Sequence, residues 1–172
     1  ELLYISQTRE QIILQSVIPL LKSPPKLTEV SILQRAAVSK KFDFSIWPIL
    51  KVDENTSFFG LHAIIKYLFT GTPHLAPANL NEVDSVLTLA DTIYSTAVPI
   101  VAHNQAILVN DQLLAKSQNH LKQLLQIAAK HQSEKPTLAS AYLNGVLSVV
   151  SALEIDISPL KAAPVSNVGL FE

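Results

Sequence analysis

Cysteine and methionine are both missing from the 172 residues. Without a thiol there is no disulfide, no thiolate metal site and no cysteine nucleophile. Arginine is scarce as well, with only Arg9 and Arg35. Thirteen Lys+Arg stand against fourteen Asp+Glu, a net charge of −1, so the clustered cations that drive nucleic-acid binding through counterion release are lacking. Four glycines are too scattered for a phosphate-cradling loop, and no nucleophile elbow, zincin helix or EF-hand pattern occurs. No apolar run reaches the ~18 residues of a membrane span, and no signal-peptide pattern is visible. Charged residues are 16% of the chain, below the usual quarter, while apolar residues are 48%. That composition excludes a disordered tail and supplies a core for one large domain or two small ones.

Leu2-Leu3-Tyr4-Ile5 is a short apolar strand pattern. Thr8 then stands as an N-cap with Gln11 in the capping-box position, and a helix is expected over about 9–22, kinked or stopped early by Pro19. Lys22 to Lys26 is a loop. Thr28–Leu33 is expected to be a second strand, and Phe42, Phe44 and Ile46 alternate with polar residues as an extended segment. Ile49–Val52 continues it past Pro48, Asp53–Thr56 forms a turn, and Ser57-Phe58-Phe59 is a short strand or a helix lead-in. A helix follows, with Ala63, Ile64, Tyr67 and Leu68 inward and Gly71 at its C-terminal end. The boundary between subdomains falls at 70–79, which holds Gly71, Pro73 and Pro77. Beyond it the periods are helical: 81–98, stopped or kinked by Pro99; a helix capped by Asn110; and another capped by Thr137. The tail from Ser158 is an extension or linker.

Three features together resemble one family. Trp47-Pro48-Ile49-Leu50 is similar to the step of the glutathione-transferase fold in which a cis proline precedes a strand. Ser57 to Leu68 resembles its strand-to-helix segment, ending in Ala-Ile-x-x-Tyr-Leu. Thr137-Leu138-Ala139-Ser140 resembles the Thr-Leu-Ala-Asp capping box of its core helix, with Ser140 in place of aspartate and a weaker cap implied. The implied architecture is α/β plus all-α. A thioredoxin-like βαβ-ββα subdomain occupies residues 1–72, a linker 73–80, a helical subdomain 81–157 and a C-terminal extension 158–172.

The same resemblance sets functional expectations. The segment 53–61 is similar to the non-catalytic domains appended to aminoacyl-tRNA synthetases and found in multi-synthetase auxiliary proteins. It implies a cytoplasmic docking module without enzymatic activity or cofactor. Its partners would be other such domains, as homo- or heterodimers, and aminoacyl-tRNA synthetases, with tRNA met only indirectly and no membrane. Phe58, Phe59, Leu61, His62, Ile65, Lys66 and Phe69 are the expected partner interface, because this helix is apolar on more than one face; burial within the same chain is the alternative. Pro48, Thr137 and Ser140 are structural. The competing reading is a divergent glutathione transferase whose Tyr4 or Ser6, near the end of the first strand, hydrogen-bonds the thiolate. Against it, the polar pair that grips the γ-glutamyl end in the family falls on Gly60-Leu61. No metal site is expected: His120 and His131 lie three helical turns apart, roughly 16 Å.

Overall fold

The structure, a computed structural model, describes residues 1–42, 46–71, 80–131 and 137–159. Four short strands form one mixed sheet in the order β2-β1-β3-β4. β1 (Leu2–Ile5) pairs in parallel with β2 (Leu27–Val30) and antiparallel with β3 (Ile49–Lys51), which pairs antiparallel with β4 (Ser57–Phe59). The parallel pair requires a crossover. α1 (Arg9–Val17) supplies it, followed by a 3-10 turn, Ile18–Leu20. Pro19 sits inside that turn and stops the helix early, as its missing N–H dictates. Thr8 caps α1: its hydroxyl accepts from Gln11 N at 3.4 Å and donates to Ile5 O at 2.7 Å. The turn between β3 and β4 is closed by Asp53, whose Oδ1 accepts from Asn55 N and Thr56 N, each at 2.8 Å.

The expected extended segment after residue 40 is partly corrected. Arg35–Phe42 forms a helix, α2, and the strand expected to reach Leu33 ends at Val30. Residues 43–45 lie outside the described residues. Ser31 and Gln34 bond reciprocally ahead of α2, Gln34 N to Ser31 Oγ at 3.3 Å and Ser31 N to Gln34 Oε1 at 3.4 Å. This arrangement is a capping box of the Ser-x-x-Gln kind. The Trp47–Pro48 bond is cis, and Pro48 O accepts from Gly60 N at 2.9 Å. Gly60 (φ 82) then leads into α3, Leu61–Thr70.

The helical part has three long helices: α4 (Leu80–Asn104), α5 (Asp111–Lys130) and α6 (Leu138–Ala152). The expected linker and the residues joining α5 to Thr137 lie outside the described residues. Pro99 neither stops nor ends α4. The helix runs on because Ile100, beyond the proline, is buried in the core; that packing outweighs the lost backbone bond. By length and composition α4 could span a membrane, with a mean hydropathy of 1.4 over its apolar window. Its stripe Val83, Val86, Leu87, Ala90, Ile93 and Ala97 is instead buried against the protein core. Both expected caps form. Asn110 Oδ1 accepts from Gln112 N and Leu113 N. Thr137 and Ser140 make a full capping box, Ser140 N to Thr137 Oγ1 at 3.0 Å and Thr137 N to Ser140 Oγ at 2.8 Å.

α6 is buried nearly all round, from Leu138 to Leu147, as a helix at the centre of a domain must be. Its Gly145 lets α1 come close: a Cβ there would stand 2.8 Å from Ile13 Cα. One core therefore runs from Leu2, through Ile13, Leu14 and Val17 of α1 and Ile64 and Ile65 of α3, into α4, α5 and α6. A second, small cluster of Leu3, Val30 and Ile49 lies on the other face of the sheet, covered by Val38, Trp47 and Phe59.

Candidate functional site

The end of β1 and the start of α1 bring together a short polar run. Ser6 follows the strand, Gln7 takes a left-handed conformation (φ 58), and Thr8 caps the helix. The turn is pinned twice. Gln7 N donates to Gln11 Oε1 at 2.8 Å, and the Thr8 hydroxyl is committed to Ile5 O and Gln11 N. The Ser6 hydroxyl makes no hydrogen bond among the described residues. It thus stands uncommitted beside the positive end of a helix dipole, where an anion is stabilised.

Tyr4 is placed differently. Its ring packs with the main core and lines a cavity with Gln11, Leu14, Gln15, Ile18, Pro19 and Leu27, on the flank of α1 that faces β2. No residue of β3, β4 or α3 lines that cavity. The structure therefore separates the two hydroxyls expected to compete for one role.

Across from α1 the start of α3 meets α4 and α6 through polar side chains. His62 Nε2 is 2.6 Å from Asp91 Oδ2, a close polar contact without the alignment of a hydrogen bond. Tyr142 Oη donates to Asp91 Oδ1 at 2.8 Å, and the His62 and Tyr142 rings meet edge to face at 5.8 Å. Burial, and then the neighbouring Asp91 carboxylate, push the Tyr142 phenol well above its ordinary range. Arg9, the first residue of α1, lays its guanidinium over the Tyr94 ring at 4.4 Å and bonds Glu10 Oε1 through Nε at 2.9 Å. Burial opposes the charge of Arg9, while the bond to Glu10 and the nearby tyrosines more than offset it, so its affinity for the proton is raised. One polar seam thus links α1, α3, α4 and α6.

The expected interface residues divide along this seam. Leu61 and Ile65 are buried in the chain's own core, and Phe58 and Phe69 pack partly buried against it. Phe59 packs on the smaller cluster. His62 reaches Asp91, and Lys66 Nζ reaches Asp84 Oδ1 at 2.6 Å, both on α4. Tyr67, expected to face inward, is instead exposed and stacked on Phe58 at 4.5 Å. Burial in the same chain accounts for most of the surplus apolar surface of this helix. Leu61 offers no polar group at the start of α3, and Gly60 gives the helix no side-chain cap. Among the described residues, no group of three His, Asp or Glu is placed to hold a metal ion.

Solved structures of similar shape include several from bacteria. A glutathione S-transferase of Actinobacillus pleuropneumoniae matches with a TM-score of 0.65 at 13% identity, over 94% of this chain and 83% of that one. A glutathione transferase family member from Pseudomonas fluorescens, holding two glutathione molecules, matches with a TM-score of 0.64 at 17% identity, over 94% and 85%. The fold is that of the glutathione transferases. A possible glutathione S-transferase of Rhodopseudomonas palustris matches likewise, with a TM-score of 0.62 at 21% identity over 94% and 81%. No protein-family profile matches the sequence, and no curated protein is significantly similar to it.

These likenesses bear out the glutathione-transferase-like architecture and correct the expectation attached to it. The three structures carry the name of an enzyme class, and one holds glutathione. None of the three is a synthetase-appended domain. The non-catalytic docking module of a translation assembly, with synthetase partners, is therefore withdrawn, and so is the expectation that the domain is not an enzyme. Domains with the glutathione-transferase fold commonly pair as dimers.

Asp91, Tyr94 and Tyr142 were not singled out from the sequence. Asp91 ends a run, Thr88-Leu89-Ala90-Asp91, that looks like a misplaced capping box, and Tyr142 is one member of an apolar stripe. Nothing local signals that they meet across 51 residues.

Proposed function

We propose that the chain is a divergent glutathione transferase, with Ser6 as the residue that steadies the thiolate. The observation that carries this reading is the uncommitted Ser6 hydroxyl at the start of α1, in a chain with the glutathione-transferase fold over 94% of its length. A hydroxyl donor and a helix N-terminus both favour the anionic form of a thiol and lower its pKa. At neutral pH a larger share of bound glutathione then exists as thiolate. The thiolate attacks an electrophilic carbon, a carbon–sulfur bond forms, and the leaving group departs with the electron pair. Tyr4, turned toward the β2 flank of α1, takes no part.

The amino-acid end of glutathione is proposed to lie at the start of α3. Leu61 cannot hold it, but Asp91 stands beside His62 at the same helix start with its side chain 39% exposed. Its carboxylate is a counter-charge for the γ-glutamyl ammonium group. The substitution Asp91→Asn is therefore expected to raise KM for glutathione while kcat changes little.

The test is retention on immobilised glutathione, together with conjugation of glutathione to a chlorodinitrobenzene. The reading requires turnover above the uncatalysed rate and a loss of about 10²-fold in kcat/KM in Ser6→Ala, the scale of one donor aimed at developing or resident negative charge. Absence of both retention and turnover would refute it. Turnover unchanged in Ser6→Ala but lost in Tyr4→Phe would move the role to Tyr4.

A further inference from the structure

We infer that the cavity between α1 and the edge strand β2 is a binding site for a neutral, single-ring small molecule bearing an oxygen acceptor, separate from the crevice at Ser6. The cavity holds about 200 Å³. For scale, an apolar cavity of about 150 Å³ accommodates benzene. Leu14, Ile18, Pro19 and Leu27 supply an apolar wall, and none of the seven lining residues is charged. A charged ligand would lose its hydration there without a counter-ion.

Polar groups enter at defined points. The Tyr4 hydroxyl makes no hydrogen bond among the described residues. Gln11 is oriented by its other bond: because Oε1 accepts from Gln7 N at 2.8 Å, its amide nitrogen is the end left to donate. Two side chains able to donate thus line an apolar pocket, which suits a carbonyl or hydroxyl oxygen on the ligand. Gln15, exposed on the next turn, stands at the mouth. Neither Ser6 nor Trp47, and no residue of β3, β4 or α3, lines the cavity, so occupancy leaves the crevice open. The inference therefore stands whether or not the chain conjugates glutathione.

Nuclear magnetic resonance on the isotope-labelled full chain tests it, with acetophenone, toluene and benzoate as probes. Acetophenone is expected to give saturable shifts at the methyl groups of Leu14, Ile18 and Leu27 and at the Gln11 side-chain amide. Toluene, lacking the oxygen, is expected to bind about fivefold more weakly, the scale of one net hydrogen bond. Tyr4→Phe should shrink that advantage. Gln15→Trp, a change at an exposed position, should block the mouth and abolish the shifts, which keeps the test open if Tyr4→Phe does not fold. The inference is overturned if acetophenone causes no saturable shift, if its shifts centre on Ser6 and Trp47, if toluene binds equally well, or if benzoate binds as tightly.

Discussion

Replacing Tyr142 with phenylalanine isolates one bond in the seam between the two parts of the fold. The ring is 1% exposed and stays in place, so no cavity opens. What is lost is the hydrogen bond from Oη to Asp91 Oδ1, 2.8 Å long. A bond to a charged acceptor is worth ~1.5–3 kcal/mol. Here the acceptor's side chain is 39% exposed and keeps His62 as a neighbour, so water replaces part of the loss. We expect a cost of about 1–1.5 kcal/mol. With a urea m-value of ~2–3 kcal/mol/M for a chain of this size, the midpoint falls by about 0.5 M at unchanged m. The pH dependence supplies a second arm. Burial, then Asp91, raise the Tyr142 pKa in the native state. The native state therefore holds this proton more tightly than the unfolded chain. That advantage is full below the ordinary tyrosine value of ~10 and is lost as pH rises above it. Wild type should thus lose more stability than Tyr142→Phe between neutral pH and alkaline pH. An unchanged midpoint in urea, or parallel alkaline losses in the two proteins, would refute the reasoning.

Three further perturbations follow from the packing and the caps. Gly145→Ala gains ~1 kcal/mol of helix propensity, but its Cβ would meet the Ile13 backbone at 2.8 Å; overpacking of ~1–3 kcal/mol or more should prevail, and thermal unfolding should show a lower Tm. Thr137→Ala removes the cap of α6 and should cost ~1 kcal/mol in urea unfolding, and Ser140→Ala, which breaks the bonds from Thr137 N and to Thr137 O at a buried position, should cost about as much. Gly60→Ala places a side chain at φ 82 and 3.1 Å from Ile46 Cγ2; a loss of ~1–2 kcal/mol is expected, read as a lower urea midpoint.

Local signals in the sequence were strong where one side chain decides the outcome. Thr8, Asn110 and Thr137 each cap the helix expected of them, because a short polar side chain before an apolar stripe has few other uses. The fold was legible through Trp47-Pro48 and the Ser57–Leu68 segment. α2 has no stripe to read: among its described residues only Val38 packs on the small core cluster, and the Ser31/Gln34 pair that opens it precedes no apolar period. Of the two outcomes expected at Pro99, a stop or a kink, the stop does not occur: the local cost is real, yet tertiary burial of Ile100 exceeds it. Of the two readings the sequence left open for the second apolar face of α3, burial in the same chain takes up Leu61 and Ile65. The seam of His62, Asp91 and Tyr142 was invisible because its members lie on three helices, far apart in sequence. The docking-module expectation rested on Gly60-Leu61, which lacks the family's polar pair; a missing pair at one helix start does not by itself exclude an enzyme, and the structures of similar shape are named for one.

The central claim is that Ser6 and the start of α1 hold a thiol as its anion. The measurement that meets it most directly is the pH titration of the thiolate ultraviolet band of glutathione bound to wild type and to Ser6→Ala. The account predicts that bound glutathione ionises at a lower pH than free glutathione in wild type, and that the difference disappears in Ser6→Ala. Glutathione that does not bind, or that binds and ionises as it does in free solution, would contradict it.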